Sequence, residues 1–208
     1  YTSSKPYYRQ TGTKIFEPAI PERDQANVVN YFSGYQRGHM LPSASRYSTW
    51  ETNAQTFFAT NMMPQNGSFN SGSWATLEGK VRSWGGLQKY DTLYVVTGTY
   101  FSNSYKTMSN TNVGGSIRVA VPDKCWKVLL RQRGNQNKSV SELPASELKA
   151  IAFVFDNASS SENTELKDAA CSVKEIETLT GFTFFRNLDP AVADAVKTQK
   201  NISDWSGL

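Results

Sequence analysis

The chain has 208 residues, of which 38% are hydrophobic, and it carries a net charge of +4 with a pI near 9.0. This length suits a single domain with a substantial core, and the absence of any run of about 18 apolar residues excludes a membrane-spanning helix. The mild excess of Lys and Arg agrees with a polyanionic partner but is too small to identify one.

The first segment, residues 1–34, is predicted to be a loop-rich lead-in, because Tyr, Ser, Pro, Thr and Gly dominate it without periodicity. The only histidine of the chain follows, at the end of the sequence QRGH (36–39). An imidazole beside the Arg37 guanidinium combines a proton acceptor with a cation suited to phosphate. Any histidine-based chemistry must therefore use His39, unless a hydrogen bond simply holds this side chain in a structural role.

A short buried strand is predicted at residues 56–60, ending at Asn61. An amphipathic helix near residues 70–84 should follow and end at the glycine pair 85–86. Apolar residues recur there at helical spacing: Trp74, Leu77, Val81 and Trp84. Asn70 and Glu78 would then lie about two turns apart on one helix. Taken alone, Asn70 is typical of a helix N-cap and Glu78 of a solvated carboxylate.

The second half of the chain shows strand patterns at residues 92–97, 117–121, 126–132 and 150–155. Residues 101–115, rich in Ser, Asn, Thr and Gly, are predicted to form a long surface loop.

A capping box at residues 172–175 predicts a helix ending at Gly181, and Asp189 before Pro190 predicts the start of another. Strands and isolated helices without regular alternation indicate an α+β fold with a mostly antiparallel sheet.

The two cysteines, Cys125 and Cys171, are 46 residues apart and form no CxxC pattern, which argues against a zinc site. Two interpretations stay open. Either both are buried thiols, or they form one disulfide between neighbouring strand ends.

The order and spacing of several motifs resemble the DNA/RNA non-specific endonucleases of the ββα-metal superfamily, which include the sugar-non-specific nucleases and endonuclease G. The similarity covers roughly residues 30–190 and is carried by Arg37-Gly38-His39, Pro42, Asn61, Pro64-Gln65, Asn70, Trp74 and Leu77-Glu78. It implies the ββα-metal nuclease fold, in which helices flank a central sheet, with an active-site element at residues 35–84. Together with the chain length and the lack of a convincing linker, it predicts a single nuclease domain over residues 1–208.

The resemblance also implies roles for these residues. His39 would be the general base, and Asn70 would bind Mg²⁺, or Mn²⁺ or another divalent cation, together with water and substrate oxygens. Glu78 would hold metal-bound water or Arg37, and Arg37 would contact phosphate, unless it forms only a structural ion pair.

Three further positions are weaker expectations. Gln36 stands where the family has Asp, which removes a carboxylate near the metal and leaves an amide able to bind metal-bound water. Asn61 and Gln65 are expected to position either the His39 loop or the substrate. Arg9 is a candidate for a basic residue against the scissile phosphate, with Lys14 as the other candidate.

The expected activity is metal-dependent hydrolysis of DNA and RNA with little sequence preference, leaving 5′-phosphates. The expected location is secreted or periplasmic, because an indiscriminate nuclease would damage its own cell. No membrane partner is expected, while a homodimer and an inhibitor protein are candidate partners. The alternatives are a weak or inactive nucleic-acid-binding module, kept open by Gln36, and a toxin-type nuclease effector.

Overall fold

A four-stranded antiparallel sheet forms the centre of the molecule. The structure is a computed structural model that describes residues 16–28, 32, 34–85, 92–112, 114–134 and 138–208. The strands follow the spatial order β3 (Tyr94–Tyr100), β6 (Lys124–Gln132), β7 (Leu148–Asp156) and β8 (Ala170–Cys171). Strands β6 and β7 are buried along most of their length, so both faces of the sheet are covered.

The two faces of the sheet carry separate cores, because successive side chains of a strand point to opposite sides. One core combines residues such as Leu129 and Phe153 with buried aromatic residues from elsewhere in the chain. The other core packs residues such as Val128 against α5 (Val173–Thr180) and α6 (Pro190–Lys197). The predicted α+β class with a mostly antiparallel sheet is confirmed.

A second, two-stranded sheet lies beside the first core. Strand β1 (Gln36–His39) pairs antiparallel with β2 (Met62–Gln65), and α1 (Trp50–Gln55) lies in the connection between them. The strand predicted at residues 56–60 is wrong. Backbone N–H groups at 56–58 bond back to carbonyls at 53–55, which leaves them unavailable for a sheet partner.

The helical segment after β2 is bent rather than continuous. It comprises α2 (Gly67–Phe69), a wide π-helical turn (Asn70–Trp74) and α3 (Ala75–Gly85). Gly72 in the wide turn comes so close to the backbone carbonyl of Glu162 that a Cβ would collide with it. Ser73 donates from its backbone N–H to the same carbonyl at 2.8 Å. The predicted helix exists, but Asn70 and Glu78 do not share one regular helix.

The predicted surface loop at residues 101–115 is also wrong, because a hairpin begins within it. Strands β4 (Lys106–Asn112) and β5 (Gly115–Val121) pair antiparallel. Its composition is polar, yet Met108 and Asn110 point inward and are buried. The Asn110 side chain accepts from the backbone N–H of Asn27 at 2.7 Å and donates to its carbonyl at 3.2 Å. These contacts with a distant segment stabilise a strand that local composition does not indicate.

The predicted helix ends are confirmed in the C-terminal third. Ser172 and Glu175 form a reciprocal capping box, and Gly181 ends α5 with a φ of 75°. Asp189 caps α6, which has Pro190 in its first turn, and a short α4 (Leu166–Ala169) precedes β8. Within the described ranges, no helix has the length and apolar character needed to cross a bilayer.

The two cysteines are free and buried, so the disulfide that the sequence left open is not formed. Cys125 belongs to the first core and Cys171 to the second. The sheet therefore separates the two thiols. Burial raises the pKa of both thiols to about 12, which keeps them protonated and poorly reactive.

Candidate active site

A polar cleft of about 560 Å³ lies where β1 meets the bent helical segment. It brings together four residues that the sequence predicted for one site, Arg37, His39, Asn70 and Glu78. Its lining also includes Pro42, Ser43, Ala44, Tyr47, Phe57 and Arg82. Among the lining residues that the structure describes, two guanidinium groups outweigh one carboxylate, and this excess of positive charge favours an anion.

His39 presents a neutral imidazole to this cleft. Its Nε2 atom is buried and has no hydrogen-bond partner among the described residues. The Phe57 ring packs against the imidazole edge-on, with centroids 5.4 Å apart. Burial lowers the pKa of His39 to about 4. A backbone hydrogen bond with Arg37 opposes this shift, and the charge of Arg37 adds to it. The imidazole is thus unprotonated near neutral pH and can accept a proton.

Two amide side chains hold the backbone around His39. Gln65 is fully buried directly beneath Gly38, where any Cβ would overlap the Gln65 side chain. Asn61 accepts from the backbone N–H of Leu41 and donates to its carbonyl, both at 2.9 Å. Of the two alternatives for these amides, the geometry favours positioning of the His39 loop, and Gln65 does not line the cleft.

Asn70 lines the cleft from the wide π-helical turn. It is not the N-cap of the helix, because Asn66 fills that role by accepting from the Phe69 N–H at 3.2 Å. Asn70 Nδ2 donates to Gln36 Oε1 at 2.8 Å. Its amide nitrogen is thereby engaged, and its oxygen is left as the end able to bind a cation.

This donor set fits a sparsely liganded hard cation. In the described parts of the chain, no three His, Cys, Asp or Glu side chains cluster as a metal-binding group. An amide oxygen is a ligand that Mg²⁺ accepts, and Mg²⁺ commonly keeps several waters and takes few protein ligands. Asn70 Oδ1, beside a cleft able to admit water and phosphate, meets that requirement.

Glu78 is a partly buried carboxylate rather than a freely solvated one. Burial raises its pKa, while the charges of Lys127 and Arg82 act in the opposite direction. The Trp74 indole N–H also favours the ionised form, although the contact lacks regular hydrogen-bond geometry. Two cations therefore offset the cost of burying this carboxylate.

Lys127 reaches the site from the central sheet and is a residue that the sequence did not reveal. It is only 1% exposed, and its Nζ donates to Thr97 Oγ1 at 2.8 Å and lies 4.5 Å from the Trp74 ring centroid. Burial lowers the pKa of Lys127 to about 8, and the charge of Glu78 opposes that shift.

Arg82 is the second residue that the sequence reasoning missed. It lines the cleft one helical turn after Glu78, and its Nη1 atom is buried without a hydrogen-bond partner among the described residues. A spacing of four on a predicted helix was the available signal. Arg37 lines the same cleft and donates to the Val28 carbonyl at 3.4 Å, which anchors its guanidinium. Arg9 and Lys14 lie outside the described residues.

Glu78 and Arg82, together with Pro42, line both this cleft and a neighbouring one of about 590 Å³. The second cleft is lined largely by apolar side chains, including Leu41, Val81 and Leu93, with Lys127 also in its lining. The same carboxylate and guanidinium therefore face both spaces.

Comparison with known proteins identifies relatives over most of the chain. The sequence profile described as DNA/RNA non-specific endonuclease matches residues 3–191. The mitochondrial nuclease EXOG of Danio rerio is 32% identical over 176 residues, which cover 81% of this chain and 48% of the relative. Nuclease C1 of Cunninghamella echinulata var. echinulata is 32% identical over 180 residues, covering 83% of this chain and 66% of the relative.

Similarity to a solved structure establishes the fold. A crystal structure of the EndoG/EndoGI complex superposes with a TM-score of 0.61 at 24% identity, covering 88% of this chain and 75% of that one. The fold is accordingly the ββα-metal nuclease fold. This chain spans between about half and two thirds of the length of the curated relatives it matches.

Proposed function

This chain belongs to the DNA/RNA non-specific endonuclease family, and on that basis we propose that it hydrolyses phosphodiester bonds in DNA and RNA with a divalent cation. One observation carries the proposal. A neutral imidazole and a tethered carboxamide line the same cleft, in which positive charge predominates. The first can accept a proton from water and the second can hold a hard cation.

The protein groups divide the work of hydrolysis. His39 Nε2 takes a proton from a water molecule, whose oxygen attacks phosphorus as the bond to the 3′ oxygen breaks. The departing 3′ oxygen takes up a proton from a second water molecule, so the products are a 3′-hydroxyl and a 5′-phosphate. Arg37 and Arg82 hold the phosphate oxygens and offset their charge. Asn70 would hold a divalent cation, with Mg²⁺ as the proposed ion and Mn²⁺ as an alternative, which would supply further stabilisation of the negative charge that develops in the reaction.

Glu78, which lines the cleft, is proposed to orient water and Arg82. The charge of Lys127 helps to keep this carboxylate ionised. Since water is the nucleophile, the reaction never requires a ribose 2′-hydroxyl, so both DNA and RNA are substrates. Contacts made mainly to phosphate predict low sequence preference and weaker binding at high salt.

Cleavage of supercoiled plasmid and of a structureless RNA tests this proposal. We expect both to be cut with Mg²⁺, neither to be cut with EDTA, and His39→Ala and Asn70→Ala to be inactive. Asn163→Ala, at an exposed position remote in sequence from these residues, serves as the matched control and should keep full activity. Undiminished cleavage by His39→Ala would refute the mechanism.

A catalytically weak binding module is the second candidate, and Gln36 is the observation that favours it. Without the family carboxylate, the cation near Asn70 has one less negative neighbour. Mobility-shift assays beside the cleavage assay separate the two candidates. Binding without turnover in Mg²⁺, Mn²⁺ and Ca²⁺ would support the module and contradict the nuclease.

We further propose that residues 1–208 form one nuclease domain that acts in a secreted or periplasmic location, away from the genome of its cell. Several related proteins are named as mitochondrial, so separation by compartment need not mean export in every relative. Fractionation of the native host tests the location.

An inhibitor protein and a second copy of this chain are the proposed partners. The related EndoG structure is a complex with EndoGI, which supports an inhibitor protein as a partner. Light scattering tests the proposed homodimer.

A further inference from the structure

Gln36 and Asn70 form a side-chain amide pair, and Asn70 lines the cleft. Asn70 Nδ2 donates to Gln36 Oε1 at 2.8 Å, across 34 residues of sequence. On its other side, Gln36 Nε2 lies over Gly67, where a Cβ would stand 3.1 Å away. The glutamine amide thus points its nitrogen at the backbone of α2 and its oxygen at Asn70.

The orientation of this carboxamide matters because its two ends differ chemically. The oxygen has lone pairs for a cation, whereas the NH₂ group has only donors and would repel one. A free asparagine rotates between the two arrangements. A hydrogen-bond acceptor beside the nitrogen favours the arrangement with the oxygen toward the cleft.

We propose that Gln36 is a positioning residue that selects the cation-binding orientation of Asn70, and that its amide makes the selection reversible. This inference rests on the proposed function and deepens it. A carboxylate at position 36 only accepts hydrogen bonds, so it permits one orientation of Asn70. A glutamine can also rotate and donate to Asn70 Oδ1, which turns the NH₂ group of Asn70 toward the cation.

Two consequences follow for the binding of a divalent cation. Part of the free energy of binding is spent in selecting the correct arrangement of the pair, so affinity is lower than with an acceptor-only partner. Gln36 contributes no charge of its own, so a negatively charged replacement gains affinity by two routes. Gln36 also contacts the Asn70 side chain directly, a contact that the sequence-based expectation of binding to metal-bound water did not include.

Titration of the protein with Mn²⁺ alone, followed by electron paramagnetic resonance of the free ion, tests this inference without any nucleic acid. Gln36→Glu keeps the acceptor and the chain length, and we expect a Kd lower by roughly tenfold. Gln36→Leu removes the acceptor, and we expect a Kd higher by about tenfold. Because Gln36 is exposed, both variants should fold, and circular dichroism checks this.

Repeating the Gln36→Leu substitution in a protein that already carries a change at Asn70 separates positioning of Asn70 from a merely structural effect. In Asn70→Asp, both ends of the side chain are oxygens, so orientation loses its importance. Adding Gln36→Leu to Asn70→Asp should then change the Mn²⁺ Kd by less than about twofold. An equal loss in both backgrounds, or no loss in Gln36→Leu alone, overturns the inference while leaving the nuclease proposal intact. Wild-type protein that binds no Mn²⁺ overturns the proposed metal dependence and this inference together.

Discussion

The state of His39 links the chemistry of the cleft to the stability of the protein. Its pKa is about 4 in the folded chain against a usual value of 6.5, with burial as the main cause. Between these values the unfolded chain binds more protons than the folded one, so stability falls as pH falls. The stability that the folded protein has while His39 is neutral is fully present above pH 6.5 and is lost as pH falls to about 4.

We therefore expect His39→Gln to reduce the pH dependence of unfolding. Relative to wild type, the variant should gain on the order of 2 kcal/mol as pH falls from 7 to 4.5, because it has no imidazole to protonate. Urea denaturation at several pH values measures this. If the free energy of unfolding varied with pH in the same way in both proteins, His39 would not be held neutral by burial.

Arg82 should contribute to turnover although the motif did not include it. Its buried Nη1, which has no hydrogen-bond partner in the described part of the chain, belongs to a residue that lines the cleft, so Arg82→Leu is expected to lower kcat/KM by about 10²- to 10³-fold. Arg82→Lys should recover only part of this, because an ammonium cannot form a two-pronged contact with phosphate. Steady-state cleavage of a fluorescent oligonucleotide gives these values.

Arg186→Leu is the control for that series, since Arg186 is exposed and does not line the cleft. A loss of less than threefold in Arg82→Leu would remove this residue from the proposed mechanism.

Sequence reasoning found His39 and Asn70 because their motifs are local, but it could not find Lys127 or Arg82. An arginine four residues after a glutamate on a helix is typical of a solvated pair. A lysine within a strand normally indicates an exposed position. Lys127 is buried only because Trp74, Thr97 and Met40 come from distant parts of the chain to surround it.

At the scale of elements, the bend in the helical segment places Asn70. Gly72→Ala should destabilise the protein by on the order of 1–3 kcal/mol, because the new Cβ collides with the Glu162 carbonyl. The displaced turn should also reduce activity. The backbone hydrogen bond from Ser73 to that carbonyl would be strained as well.

Gly79→Ala is the matched control for this substitution. Gly79 lies within α3, and its new Cβ would stand 3.8 Å from its nearest neighbour, Arg82 Nη2. Alanine in a helix interior is favoured over glycine by about 0.5–1 kcal/mol, so this variant should be more stable. Thermal unfolding of both proteins compares them, and equal melting temperatures would contradict the role assigned to the bend.

The elements that the sequence predicted well are those with chemical signals at their ends. The capping box at Ser172 and the N-cap at Asp189 mark helix starts by local hydrogen bonds. The hairpin of β4 and β5 carried no such signal. Its inward positions, Met108 and Asn110, are satisfied by contacts with residues near position 27, which no local pattern reveals.

At the scale of the whole molecule, the central sheet divides the interior into two cores with one cysteine in each. We expect both thiols to resist Ellman's reagent in the native protein and both to react in guanidinium chloride, because each is buried and protonated. A reducing agent should leave the melting temperature unchanged. A mass two daltons below that of the dithiol form would contradict this arrangement.

The cleft holds two buried polar atoms without partners among the described residues, His39 Nε2 and Arg82 Nη1. Each such atom disfavours the folded state by roughly 1–3 kcal/mol unless a ligand or water meets it. Apolar replacements at these positions would relieve that cost while greatly weakening the proposed chemistry. Directed evolution of this protein for heat resistance alone would therefore enrich variants that are more stable but have lost activity. Only a screen that also measures catalysis would retain the enzyme.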